Sequence, residues 1–564
     1  MTTAASVRSQ TSLPEFVPDT SPLAGSPLGD AFHVFDTTLR DGAQREGISY
    51  SVADKIAVAM LLDELGVGFI EGGWPGAMPK DTEFFARAAA GELTLTSSQL
   101  VAFGATRKAG VRAQDDLQVR ALLDSQAPII TLVAKSDVRH VERALRTTLE
   151  ENLAMVGETV RFLVGEGRRV FLDCEHFFDG YAADHDYGLR VAEAAFDGGA
   201  DVIVLCDTNG GMMPLGLHQV VAEAKERTGF RLGIHCQDDT GCAVANTIAA
   251  VQAGATHVQC TANGYGERAG NADLFAVVGN LVAKLGLAVL PEGRLTEMVR
   301  VSHSLAELAN ISPDTHQAYV GSSAFSHKAG LHASAIKVDP ELYNHLNPSV
   351  VGNDMHILIT EMAGRASVEL KAKEFGIDLA GLPDVVTKVV ATVKQREAAG
   401  WSYEAADASF ELLLRNEIAA ANGQRPALPF RLESYRVIVE NTGNTVVSEA
   451  TVKVHVAGRR VLATAEGNGP VNALDSALRG ALSDHLPGLA GVELIDYKVR
   501  ILAGHAGTDS VTRVLLASSS SKLAGAPEWT TVGVHTNVVE ASWEALVDSL
   551  VYALRPEVHG AAQE

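Results

Sequence analysis

A chain of 564 residues exceeds one ordinary domain, and two to four are expected. Its hydrophobic share of 46% and charged share of 20% suit a globular protein with sizeable cores, and no run of about 18 uncharged apolar residues offers a membrane span. The net charge of -23 argues against a nucleic-acid or anionic-membrane partner, although a local basic pocket can still take an anionic cofactor.

Residues 1–30 are rich in Ser, Pro and Thr, carry Arg8 and lack an apolar core segment. They read as a disordered tail rather than a leader. From residue 33 to about 285, short β-rich runs alternate with helical stretches. The expected strands are His33–Leu39, Phe69–Trp74, Leu100–Gly104, Ile129–Ala134, Val170–Cys174, Val202–Cys206, Arg231–His235 and His257–Thr261. Expected helices include Ser51–Leu65, Val141–Gly165 and Cys242–Ala253, and Gly66, Gly199 and Gly254 each close a helix before the next strand. Eight strands alternating with helices over about 250 residues is the size of a (β/α)₈ barrel. A doubly wound open sheet is the alternative, weakened because no G-x-G-x-x-G follows the first strand. The five cysteines form no C-x-x-C pair. They read as small core residues, which fits a reducing cytoplasm.

In a parallel barrel, the C-terminal strand ends form the active face. The first strand ends in Arg40-Asp41-Gly42, either a metal ligand beside an oxyanion-binding guanidinium or a solvated ion pair. The seventh strand ends His235-Cys-Gln237, which places both side chains on one face, and the eighth leads into Asn263 through Asn271. His235 alone reads as a packed core histidine. Asp41, His235, Gln237 and Asn271 together can converge at the mouth as a donor set for a divalent ion. Other expected strand ends carry Glu71, Lys135, Asp173, Glu175, Asp207 and Thr208, with His140 just beyond the fourth.

The segments F-D-T-T-L-R-D-G-A-Q, E-G-G-W-P-G, C-E-H-F-F-D-G, C-D-T-N-G-G and N-G-Y-G-E-R-A-G-N-A resemble the isopropylmalate synthase/homocitrate synthase family, which also includes hydroxymethylglutaryl-CoA lyase. The resemblance runs from about residue 31 to the C-terminus. It implies a metal-dependent barrel acyltransferase that condenses acetyl-CoA with a 2-keto acid and hydrolyses the thioester. By matching position, Asp41 and His235 would ligate the metal, with Asn271 completing or supporting the site. Arg40 would polarise the keto oxygen, Thr208 would hold the keto-acid carboxylate, Glu175 would sit by the reacting carbons, and Gln44 and His140 would contact substrate. The family's usual seventh-strand motif is His, any residue, His, Asn; here it reads His235-Cys-Gln237-Asp238. A glutamine oxygen is a poorer ligand for Zn²⁺ than for a hard ion, so Mg²⁺ or Mn²⁺ is expected ahead of Zn²⁺.

Residues 291–425 read as a helical linker with lid subdomains. There His332 and Tyr343 match the family's catalytic His and Tyr, in a region that in the family reaches over the partner subunit's barrel. Residues 426–558 read as βββα written twice. Spacing alone allows a structural dimerisation domain, whereas the resemblance implies a regulatory one that binds isoleucine or leucine. The expected protein is thus α/β overall: a TIM barrel over 31–290, the linker and lid, then an α+β regulatory domain. The expected partners are acetyl-CoA, pyruvate and a second copy of the chain in a cytoplasmic route to isoleucine. The alternatives are a larger keto acid, as in isopropylmalate or homocitrate synthesis, and a degenerate barrel that only binds an amino acid.

Overall fold

The structure, a computed structural model, describes residues 30–424, 428–502, 510–520 and 528–555; the expected N-terminal tail, apart from residue 30, lies outside them. Eight parallel strands form a closed barrel: β1 His33–Asp36, β2 Phe69–Gly73, β3 Gln99–Ala105, β4 Ile129–Lys135, β5 Arg169–Glu175, β6 Val202–Asp207, β7 Leu232–Cys236 and β8 His257–Cys260. β8 returns to pair with β1, Phe35 opposite Gln259 and Asp36 opposite Cys260. An open sheet is thereby excluded.

Two apolar layers build this unit. Inside the barrel, Phe35, Phe69, Val101, Ile129, Phe171, Val202, Val204 and Cys206 fill the axis. The rings of Phe35, Phe69 and Phe171 lie 5.6–6.1 Å apart, and burying each contributes roughly 1.5–3 kcal/mol. Outside, the opposite strand faces meet the helices. The helix Val52–Leu65 shows how the chain sets one spacing: Ser51 and Asp54 form a capping box, and Gly66 ends the helix at φ +93°, where a Cβ would fall 2.4 Å from Pro291.

Two expected elements are shorter than their sequence suggests. The first strand stops at Asp36, not Leu39, because the chain turns on the Thr37 carbonyl. The expected helix Val141–Gly165 is broken: a π-helical turn, Val141–Leu145, ends at Arg146 in the left-handed region. Thr148 then caps a new helix, Leu149–Gly165, accepting from Glu151 N.

The described residues divide into two compact units. One runs to Phe325 and includes Leu346–Asp354; the other comprises Ser326–His345 and the chain from Met355. In the second unit, the helices Arg365–Glu374, Pro383–Ala398 and Asp407–Ala421 bury Val368, Val389, Val393 and Phe410. Two three-stranded antiparallel sheets follow. Phe430–Asn441, Val446–Val456 and Arg459–Gly467 precede the helix Pro470–Leu482; Val492–Ile501, Thr512–Ser520 and Glu528–His535 precede the helix Val538–Ala553. Among the described residues no helix is long and apolar enough to cross a membrane.

Candidate active site

Arg40 and Asp41 are adjacent, and on an extended strand they would point to opposite faces. The turn after β1 removes that conflict. The amides of Arg40, Asp41 and Gly42 all donate to the Thr37 carbonyl, at 3.1, 2.8 and 3.0 Å. Asp36 braces the turn, accepting from Thr38 N at 2.9 Å and Thr38 Oγ1 at 2.8 Å. Both Arg40 and Asp41 then line a cavity of about 640 Å³ at the barrel mouth. Arg40 Nε donates to Glu71 at 2.7 Å, and its guanidinium lies 3.9 Å from the centre of the Phe103 ring. Burial works against its charge, but Glu71, Asp41 and Asp173 outweigh that and hold its pKa above the usual arginine value.

Asp41 Oδ2 lies 3.3 Å from His235 Nε2, and Gln237 Nε2 stands 3.3 Å from both atoms. Asn271 is brought alongside by a backbone bridge to Gln237, while its amide nitrogen donates to the Tyr265 carbonyl at 3.0 Å. Two buried oxygens face no partner here, Gln237 Oε1 and Asn271 Oδ1. An orphaned buried acceptor typically costs about 1–3 kcal/mol, and a cation removes that cost. Burial lowers the His235 pKa, so its imidazole is held neutral, the form that ligates. Among the described residues no three His, Cys, Asp or Glu side chains form a metal-binding group. That matches a set in which two of four donors are amides. With the Gln237 amide turned so that its oxygen replaces its nitrogen beside Asp41 and His235, one carboxylate, one imidazole and two amide oxygens fit a hard divalent ion. Asp238 does not join them, because its carboxylate caps the next helix at Ala243 N.

Glu175, Thr208 and Gln44 also line the cavity. Glu175 pairs with Lys135. Thr208 Oγ1 accepts from the His176 amide at 2.8 Å, which leaves its own O–H free to donate. His140 is not on the cavity wall; its ring stacks on His176 at 3.8 Å. His332 and Tyr343 belong to the second compact unit, where their rings stack at 4.2 Å.

Sequence reasoning gave no role to Glu71, Phe103, Asp173 or Gln259. Gln259 Oε1 lies 2.9 Å from His235 Nδ1, and Gln259 Nε2 donates to Asp173 Oδ1 at 2.8 Å. Burial, with Glu71 adding to it, pushes the Asp173 carboxyl up to about 8, against Arg40 and Gln259. A signal for two of these was present. Asp173 lies two residues before Glu175, and Gln259 two before Thr261, so each is a polar residue at an alternating position of a strand.

Residues 31–305 match the HMGL-like family model, 319–400 the homocitrate synthase post-HMGL domain-like model and 404–554 the LeuA allosteric (dimerisation) domain model. A closed barrel with this mouth, joined to those two domains, defines an acyltransferase of the HMGL-like class. The chain is 63% identical to the (R)-citramalate synthase of Streptomyces coelicolor, over 94% of its own length and 98% of the relative's. Identity to the (R)-citramalate synthase of Aquifex aeolicus is 43%, covering 93% and 98% of the two chains. With that of Synechocystis sp. it is 44%, covering 93% and 96%. The chain belongs to the (R)-citramalate synthase family.

Proposed function

We propose that this enzyme joins the methyl carbon of acetyl-CoA to the keto carbon of pyruvate and hydrolyses the thioester, releasing (R)-citramalate and CoA. The observation that carries the reading is the near end-to-end match to a relative of that activity. The mouth of the barrel supports it chemically. Asp41, His235, Gln237 and Asn271 would hold a divalent ion, Mg²⁺ or Mn²⁺ ahead of Zn²⁺. When bound, such an ion supplies positive charge for the keto oxygen of the acceptor.

Arg40 is pinned by Glu71 and Phe103, so its guanidinium meets the keto oxygen already oriented and stabilises the charge that grows there on attack. Thr208 donates its free O–H to the pyruvate carboxylate. Trp74 and Phe103, edge to face at 5.2 Å, form the apolar wall beside Arg40. Glu175 sits by the reacting carbons. The base that takes the methyl proton is assigned to His332, assisted by Tyr343, because both match the family motif. The final water cleaves the C–S bond, leaving a carboxylate and the CoA thiol. The C-terminal domain is assigned a feedback role, with isoleucine or leucine as effector, in a homodimer. A cytoplasmic location accords with five unpaired cysteines.

The test is free-thiol release from acetyl-CoA with pyruvate, 2-ketobutyrate, 2-ketoisovalerate or 2-ketoglutarate, each with Mg²⁺, Mn²⁺, Zn²⁺ or EDTA. Pyruvate-selective, EDTA-sensitive release is expected. Arg40→Ala and Asp41→Ala should each abolish it in folded protein, and near-normal turnover in either would refute the site.

A further inference from the structure

Asp173, Gln259 and His235 form a buried line that runs from β5 through β8 to β7. Gln259 and Asp173 are 1% and 4% exposed, so water does not compete for these contacts. An amide side chain has one donating end and one accepting end. Gln259 Nε2 donates to Asp173 Oδ1 at 2.8 Å, a bond that either the carboxylate or the carbonyl oxygen of the protonated acid accepts, and this leaves the Gln259 oxygen facing His235. That oxygen, 2.9 Å from Nδ1, can only accept, so Nδ1 must carry the imidazole proton. Nε2 is left bare, and Nε2 is the atom that faces Asp41 and Gln237.

We infer that Gln259 and Asp173 are positioning residues that fix the tautomer of His235 and so aim its Nε2 lone pair into the donor set formed with Asp41, Gln237 and Asn271. The inference rests on the metal reading of that set. A bare imidazole ligand is the form a cation needs, and a partner that locks the opposite ring nitrogen raises both its availability and its basicity. This support carries particular weight here. Gln237 contributes an uncharged amide where the family usually has histidine, so His235 is the only nitrogen ligand of the set. The line is also directional: swapping the chemistry of both partners preserves it, whereas removing one polar group breaks it.

Mn²⁺ affinity of the full chain, measured by calorimetric titration without substrate, tests this. Wild type should bind. Gln259→Leu keeps the volume but neither hydrogen bond, and should bind about 10–100-fold more weakly while its circular dichroism and melting profile stay native. The exchange Gln259→Glu with Asp173→Asn restores an acceptor toward His235 and a donor toward residue 259, and should return affinity to within about threefold of wild type. A packing role predicts neither the loss nor this rescue. Native-like binding by Gln259→Leu, beside a wild type that binds, overturns the inference alone. No binding by wild type overturns the metal reading, and the inference with it.

Discussion

Arg40 and Asp41 show how one turn decides what adjacent residues can do together. On a longer β1 one of them would face the surrounding helices; three amides gathered on one carbonyl send both into the cavity. Asp41 was identifiable in the sequence, but the turn was not, because Thr37-Thr38-Leu39 is as β-prone as the strand before it. At the other end of β1, His33 bonds to Asp30 at 2.9 Å and stands 3.2 Å from His257, with Arg169 and Arg231 also on Asp30. Burial lowers the His33 pKa from 6.5 to about 4, the two guanidinium groups adding to it and Asp30 opposing. A depressed histidine takes its proton less readily folded than unfolded, so stability rises with pH across this interval and is lost as pH falls from 6.5 toward 4. His33→Gln keeps a donor toward Asp30 and removes the titration. Denaturant unfolding should show wild type losing on the order of 3 kcal/mol more than the variant between pH 7 and 4. Parallel pH curves for the two proteins would contradict this.

At the level of elements, backbone hydrogen bonds set the path of the loop after β8 that carries Asn271. Asn271 N donates to the Gly264 carbonyl at 3.1 Å, and Asp238 N to the Gly270 carbonyl at 2.8 Å. Gly270 has φ +99°, and a Cβ there would fall 2.0 Å from the Gly264 oxygen. Gly270→Ala should therefore cost more than about 1 kcal/mol and displace Asn271, weakening metal affinity as well as turnover. Unchanged melting and Mn²⁺ titration would show that the loop has slack. The strands themselves were legible as short apolar runs, and Gly66, Gly199 and Gly254 mark the helix ends before three of them. The π-helical turn at Val141–Leu145 was not, since Glu142, Arg143 and Ala144 continue the helical pattern without a breaker and the break comes from the Arg146 backbone and the Thr148 cap. Asp173 and Gln259 escaped assignment for another reason: only ring closure brings β5, β7 and β8 around one axis.

Across the whole molecule, the C-terminal domain repeats one βββα unit, and the two helices bury their residues at matched spacing. Ala473, Leu474, Ala477, Leu478, Ala481 and Leu482 are buried on one helix; Ala541, Ser542, Ala545, Leu546, Ser549 and Leu550 are buried at the same spacing on the other. The sheets beneath them leave apolar side chains outside. Ile495, Val499 and Ile501 on one strand are 46%, 48% and 62% exposed, and Val439 and Leu462 on the other sheet 56% and 55%. A surface of this kind in a dimerisation-type domain should associate with a second copy. Ile495→Lys with Val499→Lys should shift the expected homo-oligomer toward monomer in light scattering, and an oligomer that persists would place the interface elsewhere. The closed ring has a consequence for synthesis. A growing chain presents Asp41 early and Gln237 and Asn271 near the end of the barrel, and β1 gains its second neighbour only when β8 arrives. The four proposed ion-holding groups thus come together only when translation has passed Asn271, and before that an unfinished polypeptide offers a passing cation Asp41 apart from the His235–Gln237 pair.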